Sequence, residues 1–262
     1  MFTCPPVAGI NESIFIDTVK QLTMSAESWV SLFSGGKDSS WALYQALEQG
    51  LAVSHLLTVH PSQESYMYHV PETRLAPVAA SSIGIDIHEV TAPNLNAPNA
   101  SDATTQGDAE IEPLEVALTE LAEETTITGV TAGAIESAYQ TDRIRDMCDR
   151  LGLKLFAPLW QESPDAVASA MVEAGFEITI IQVAAAGLDR SWLGRTLDTD
   201  ALTELRDLRE EYGVHLLGEG GEFETFVTDA PHYSRKIELT YDTHWEGSRG
   251  RIHVEEATLV EV

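Results

Sequence analysis

Residues Trp29 to Leu43 read Trp-Val-Ser-Leu-Phe-Ser-Gly-Gly-Lys-Asp-Ser-Ser-Trp-Ala-Leu, an order that few folds accommodate. Val30, Leu32 and Phe33 make an apolar run of strand length, and Leu43 and Leu47 follow at the spacing of one helical face. Between them lies Ser34-Gly35-Gly36-Lys37-Asp38-Ser39. The paired glycines let the backbone turn tightly and bring its amides close to a ligand. The first turn of the following helix presents unpaired amides and the positive end of its dipole at the same point. Lys37 adds a mobile cation, Ser34 and Ser39 add donors, and Asp38 can hold Mg2+ or orient the lysine. Strand, glycine turn and helix together form a polyphosphate cradle.

Downstream, strands and helices alternate. Ala52 to His60 reads as a second strand, Pro71 to Ile83 as a helix and Ile85 to Val90 as a third strand. Pro93 to Asp108 is polar and proline-containing and reads as a loop, with Ile111 to Glu123 helical. Gly129 to Ile135 is a fourth strand. Tyr139 to Leu151 sets Ile144, Met147, Cys148 and Leu151 on one helical face, and Lys154 to Trp160 is a fifth strand. This alternation implies a parallel sheet with helices on both faces and a ligand site at the carboxyl ends of the strands.

A second unit begins near Gln161. Ser163-Pro164-Asp165 supplies an N-cap, a proline at the first helical position and an early acid. Glu177 to Ala185 reads as a strand, Leu202 to Tyr212 as a helix, and two strands close the chain around Ile237–Tyr241 and Ile252–Val254. The expected organisation is a leader over 1–24, a nucleotide-binding α/β domain over 25–160 and a smaller α+β substrate domain over 161–262. Met24 stands five residues before the first strand and is an alternative start.

Charge narrows the partners. The 262 residues carry 42 acids against 15 lysines and arginines, a net of −27, and only four of those cations are lysine. An acidic, lysine-poor surface resembles that of proteins from salt-loving organisms and suggests a haloarchaeal source. At ~1 M salt the Debye length falls to about 3 Å, which screens the self-repulsion. Where lysine is this scarce, its place in the glycine turn is better explained by phosphate than by solvation. No basic stripe is present, so nucleic acid is not an expected partner. No apolar run of membrane-spanning length and no secretory signal is visible, so the expected location is cytoplasmic. Two cysteines, Cys4 and Cys148, build neither a disulfide framework nor a zinc site, and Cys148 reads as core.

The turn is not a Walker P-loop and not a Gly-x-Gly-x-x-Gly fingerprint. Ser-Gly-Gly-Lys-Asp-Ser resembles the PP-loop of ATP pyrophosphatases, which split ATP between its α and β phosphates. Three further segments sharpen the match: Glu64-Ser65-Tyr66-Met67-Tyr68-His69, Gly133 through Arg143, and Gly218-Glu219-Gly220-Gly221-Glu222-Phe223-Glu224-Thr225-Phe226. With Leu151-Gly152-Leu153 and Ala157-Pro158-Leu159-Trp160 between them, this order resembles the diphthine–ammonia ligase family, from about Trp29 to Lys236. The resemblance implies a PP-loop domain of the Rossmann-like, adenine nucleotide alpha hydrolase type and a C-terminal α+β domain.

It also implies a chemistry: amidation of diphthine on elongation factor 2 with ATP and ammonium, through an acyl-adenylate, releasing AMP and pyrophosphate. Ser34 to Ser39 would bind ATP with Gly133, Ala134 and Ser137; Lys37 would stabilise the leaving pyrophosphate, and Asp38 would hold Mg2+. Glu219 and Glu222 are the expected catalytic acids. Tyr66, Tyr68, His69, Tyr139, Arg143, Gly220, Gly221, Glu224 and Thr225 are the expected substrate contacts, with aromatic faces or carboxylates meeting the trimethylammonium group of diphthine. Read without the family, Glu-Gly-Gly-Glu is more simply a solvated turn, and Tyr139 with Arg143 could be a surface pair; the family match reverses the first reading. The alternatives are a PP-loop ATPase acting on another carboxylate or on tRNA, and a nucleotide-binding protein without chemistry. A homo-oligomer is compatible with all of them.

Overall fold

In the computed structural model the strand of the first motif is β1 (Ser28–Leu32), and the helix after its glycine turn is α1 (Lys37–Glu48). The structure describes residues 27–60, 73–91, 103–134 and 138–261, without the side chains of 103–110 and 138–140. The leader over 1–24 and Met24 lie outside the described residues. The chain continues through β2 (Val53–His60), a short 3-10 turn at Thr73–Leu75, α2 (Ala76–Ile83) and β3 (Asp86–Thr91). Then follow α3 (Ala103–Glu124), β4 (Ile127–Thr131), α4 (Ala138–Leu151) and β5 (Lys154–Phe156).

These five strands form one parallel sheet in the order β3-β2-β1-β4-β5. The chain winds outward from β1 in one direction through β2 and β3, and in the other through β4 and β5. That reversal opens a crevice between the carboxyl ends of β1 and β4, where ligands bind in open parallel sheets. One face is sealed by α3 and α4: Leu114, Leu118, Ile144 and Met147 pack on Val30, Leu57 and Val130. Cys148 belongs to this layer, and burial pushes its thiol up to about 11, so it is core and no nucleophile.

The second unit holds α5 (Pro164–Glu173), β6 (Glu177–Val183), α6 (Thr199–Tyr212), β7 (Phe223–Asp229), β8 (Lys236–Glu246) and β9 (Arg249–Val260). Ser163 caps α5 as expected, its hydroxyl accepting from the Ala166 amide at 3.5 Å. The four strands pair antiparallel in the order β7-β6-β9-β8. Apolar residues of both units share one core, in which Trp41, Leu43 and Ala76 meet Ile178, Phe226 and Ile237. The second sheet therefore packs against the face of the first that carries α1 and α2.

Three expectations change. Helix α3 starts at Ala103, so 103–108 is helical rather than loop; its polar first turns hide the boundary, and Pro113 is carried inside the helix. Strand β5 stops at Phe156 instead of running to Trp160, because the chain turns at Ala157-Pro158, with the Trp160 amide bonded to the Ala157 carbonyl at 3.2 Å. Strand β4 ends at Thr131, which leaves Ala132 to Ala134 irregular at the crevice.

Candidate active site

The crevice is a cavity of about 210 Å³, walled by the glycine turn, the ends of β1, β2 and β4, and, from the other unit, β7 and the turn preceding it. Two glycines set its shape. Gly35 has φ +81°, the left-handed region that glycine tolerates, and a Cβ there would stand 2.8 Å from the Phe226 ring. At Gly133 a Cβ would meet the Asp38 backbone carbon at 2.5 Å and its oxygen at 2.6 Å, so only glycine lets the end of β4 lie against the cradle.

The serines of the turn brace it from within. Ser39 Oγ donates to the Gly36 carbonyl at 3.1 Å and accepts from the Ser34 amide at 3.2 Å. Ser34 Oγ accepts from the Gly36 amide at 3.3 Å and lies 3.1 Å from Ser39 Oγ. The cap of α1 is Gly36, with no side chain to occupy the helix N-terminus. Strand β7 ties down the outer side: Val227 donates its amide to the Gly35 carbonyl at 2.9 Å, and the Lys37 amide donates to Thr225 Oγ1 at 3.3 Å.

Lys37 is buried, and its Nζ donates to Asp38 Oδ2 at 2.7 Å. Burial disfavours the ammonium, but Asp38, Glu219 and Glu224 outweigh it and hold its pKa above the ordinary lysine value. Burial raises the Asp38 carboxyl while Lys37 pulls it back. Asp38 Oδ1 is buried and has no hydrogen-bond partner among the described residues. An orphaned carboxylate oxygen at a helix N-terminus fits a cation that it would share with phosphate oxygens. No cluster of three metal-ligating side chains exists among the described residues. Mg2+ suits that arrangement, since it is commonly held by one or two carboxylates plus substrate phosphates.

The acids of the Gly-Glu-Gly-Gly-Glu-Phe-Glu segment divide. Glu219 and Glu224 line the cavity, whereas Glu222 does not. The Glu222 carboxylate turns back into its own loop, accepting from the Gly220 amide at 2.8 Å and the His215 amide at 3.2 Å. Glu222, expected as a catalytic acid, thus lies away from the cavity wall, and its lone pairs hold the backbone that carries Glu219. Glu224 is the enclosed acid of the segment. Burial pushes its carboxyl up to about 8, with Lys37 opposing and Asp38 and Glu219 adding to the rise.

Of the other residues singled out from sequence, Ser34, Gly36, Ser39, Ala134 and Thr225 line the same cavity. Gly220 and Gly221 sit in the turn behind Glu219 and not at the cavity wall. Arg143 stands on α4 beside Ile144, which lines the cavity while Arg143 does not. Tyr66, Tyr68, His69 and Ser137 fall outside the described residues, as does the side chain of Tyr139. Phe223 and Phe226, both at the wall, are aromatic faces that the sequence reading did not single out; the Lys37 Nζ lies 5.8 Å from the Phe223 ring centroid. His215 was also missed, and nothing in its sequence context marks it.

Two family descriptions match the chain: the diphthamide synthase N-terminal domain over residues 27–155 and the diphthamide synthase C-terminal domain over 163–260. A diphthine–ammonia ligase of Danio rerio is 36% identical over 217 residues, 79% of this chain and 84% of that protein. One of Homo sapiens is 33% identical over 216 residues, 79% of this chain and 80% of that protein. One of Schizosaccharomyces pombe is 31% identical over 230 residues, 85% of this chain and 38% of that protein. A solved structure described as a predicted subunit of a tRNA methyltransferase from Methanocaldococcus jannaschii covers 79% of this chain at 20% identity, with a TM-score of 0.42. That likeness is too slight to argue from.

Proposed function

The chain belongs to the diphthamide synthase family, and on that premise we propose that it joins ammonia to the carboxylate of diphthine on elongation factor 2 at the expense of ATP. A carboxylate is a poor acyl donor. Attack of its oxygen on the α-phosphorus of ATP breaks the bond to pyrophosphate and leaves an acyl-adenylate. Ammonia then attacks the acyl carbon, AMP departs, and the nitrogen sheds a proton.

The observation that carries this reading is the meeting of cradle and acids in one cavity. Catalysis of the first step mainly requires holding the triphosphate in line and neutralising charge as pyrophosphate leaves. The N-terminus of α1, whose cap residue Gly36 has no side chain, and the Lys37 ammonium would supply those functions. Mg2+ held at Asp38 would add charge on the phosphate oxygens.

Across the cavity, Glu219 with the faces of Phe223 and Phe226 suits a trimethylammonium group. Glu224 suits the second step: with its pKa raised to about 8, its ionised form is a stronger base than an ordinary carboxylate and can take the proton that the nitrogen sheds. A translation factor as substrate puts the reaction in the cytoplasm, and the net charge of −27 supports work at high salt.

Incubating the protein with ATP, ammonium and elongation factor 2 bearing diphthine tests the reading. It expects AMP and pyrophosphate in step with conversion of the carboxylate to the amide, followed by mass spectrometry of the modified peptide. ADP as the product, or equal turnover with unmodified factor, would overturn it.

A further inference from the structure

The turn from His215 to Glu222 is more heavily braced than its glycine content requires, and one residue supplies most of the bracing. His215 commits three polar groups to it. Its carbonyl accepts from the Gly218 amide at 3.0 Å, and its own amide donates to Glu222 Oε1 at 3.2 Å. Its ring Nδ1 accepts from two amides, those of Leu217 at 3.2 Å and Glu219 at 3.3 Å. Glu222 closes the other end by accepting from Gly220, and the Gly221 amide reaches the Gly218 carbonyl at 2.9 Å. Leu216 and Leu217 are fully buried, so the start of the turn is anchored in the core.

We infer that His215 is a positioning residue for the reaction. Its Nδ1 lone pair and its backbone fix the turn in the shape that places Glu219 in the cavity opposite Lys37. The inference rests on the ligase reading, which gives the position of Glu219 its consequence. An acceptor for two converging amides must be an unprotonated ring nitrogen, so the imidazole proton sits on Nε2. Remove that acceptor and two amides at the rim of the cavity lose their partner, while the Gly220-Gly221 pair offers the backbone other paths. Glu219 then drifts. Displacement of a reacting or orienting group by ~1 Å can cost about 100-fold in rate.

Asparagine is the informative replacement. Its Oδ1 branches from Cγ as Nδ1 does in histidine, and it accepts from amides two and more residues ahead in Asx turns. The experiment therefore compares wild type, His215→Ala and His215→Asn in three measurements. These are kcat for amide formation on diphthine-bearing factor, the dissociation constant of ATP, and hydrogen exchange at the Leu217 and Glu219 amides.

The expected result is a fall in kcat of about 10-fold or more for H215A, with H215N within about 3-fold of wild type. ATP affinity stays within about 2-fold in both, since the cradle's own hydrogen bonds do not use His215. The two amides lose protection in H215A alone. H215A with wild-type kcat, or H215N as slow as H215A, overturns the inference. Should wild type itself form no amide, the ligase reading fails, and exchange decides the clip by itself. Loss of protection in H215A and retention in H215N then support it; equal protection in all three overturns it.

Discussion

Replacing Glu224 with glutamine tests the electrostatics of the cavity without relying on catalysis. In the folded protein its carboxyl moves from an ordinary 4.5 to about 8, chiefly because burial disfavours the anion. Between those values the folded state binds a proton that the unfolded chain has released, so stability falls as pH rises through this window. At ~1.4 kcal/mol for each unit, the full penalty is about 5 kcal/mol, complete only above pH ~8. Glutamine keeps the shape and cannot ionise. The unfolding free energy of E224Q minus that of wild type should therefore be nearly constant below pH ~4.5, rise steadily, and level off above pH ~8 about 5 kcal/mol higher than at low pH. Acids far from the cavity contribute equally to both proteins and cancel in the difference, whereas Lys37, Asp38 and Glu219 are coupled to Glu224 and their response is part of what is read. Urea unfolding of the two proteins at about pH 4, 6 and 9, at one fixed ionic strength, reads the effect directly. A difference that does not change with pH would refute the reasoning, because it would mean that the carboxylate is as well solvated or paired in the fold as outside it.

Lys37→Ala should lower AMP formation by ~100-fold or more, as loss of a transition-state donor does, and lower stability by about 3 kcal/mol because Asp38 keeps its burial without its partner. Turnover with thermal unfolding checks both parts. Gly133→Ala should cost ~1–3 kcal/mol and weaken ATP binding, since the new methyl must displace the Asp38 backbone; calorimetry of ATP binding measures this. Cys148 should resist thiol reagents in the native state and react only after denaturation, given its burial and its raised pKa.

The cradle was legible because one continuous stretch carries every group it needs, and strand, turn and helix follow from the same residues. The parallel sheet followed from alternation of apolar runs. Cys148 was legible as core because it shares a helical face with Ile144 and Met147. Strand β7 was not, since Phe223-Glu224-Thr225 follows a run of glycines and acids that reads as turn. For the same reason the sequence did not separate Glu224, which lines the cavity, from Glu222, which does not. Which acid enters the cavity depends on pairing with β6, where Gln182 opposes Glu224 and Val183 opposes Phe223 across an irregular register. His215 left no trace because its partners are backbone amides, which every residue possesses. The start of α3 was hidden because 103–110 carry no large apolar residue, and Ile111 is the first of the helical face.

The bonds from Val227 to the Gly35 carbonyl and from Lys37 to Thr225 stitch the loop for ATP to a strand that belongs to the other half of the molecule. Affinity for nucleotide is thus not a property that the first half can keep by itself. On the proposed function, a shift of the second sheet when a protein substrate binds would reach the glycine turn through these two links, and by reciprocity ATP would then bias how readily that sheet accepts its guest. Exchanging either half with that of a relative would have to carry both ends of these links along.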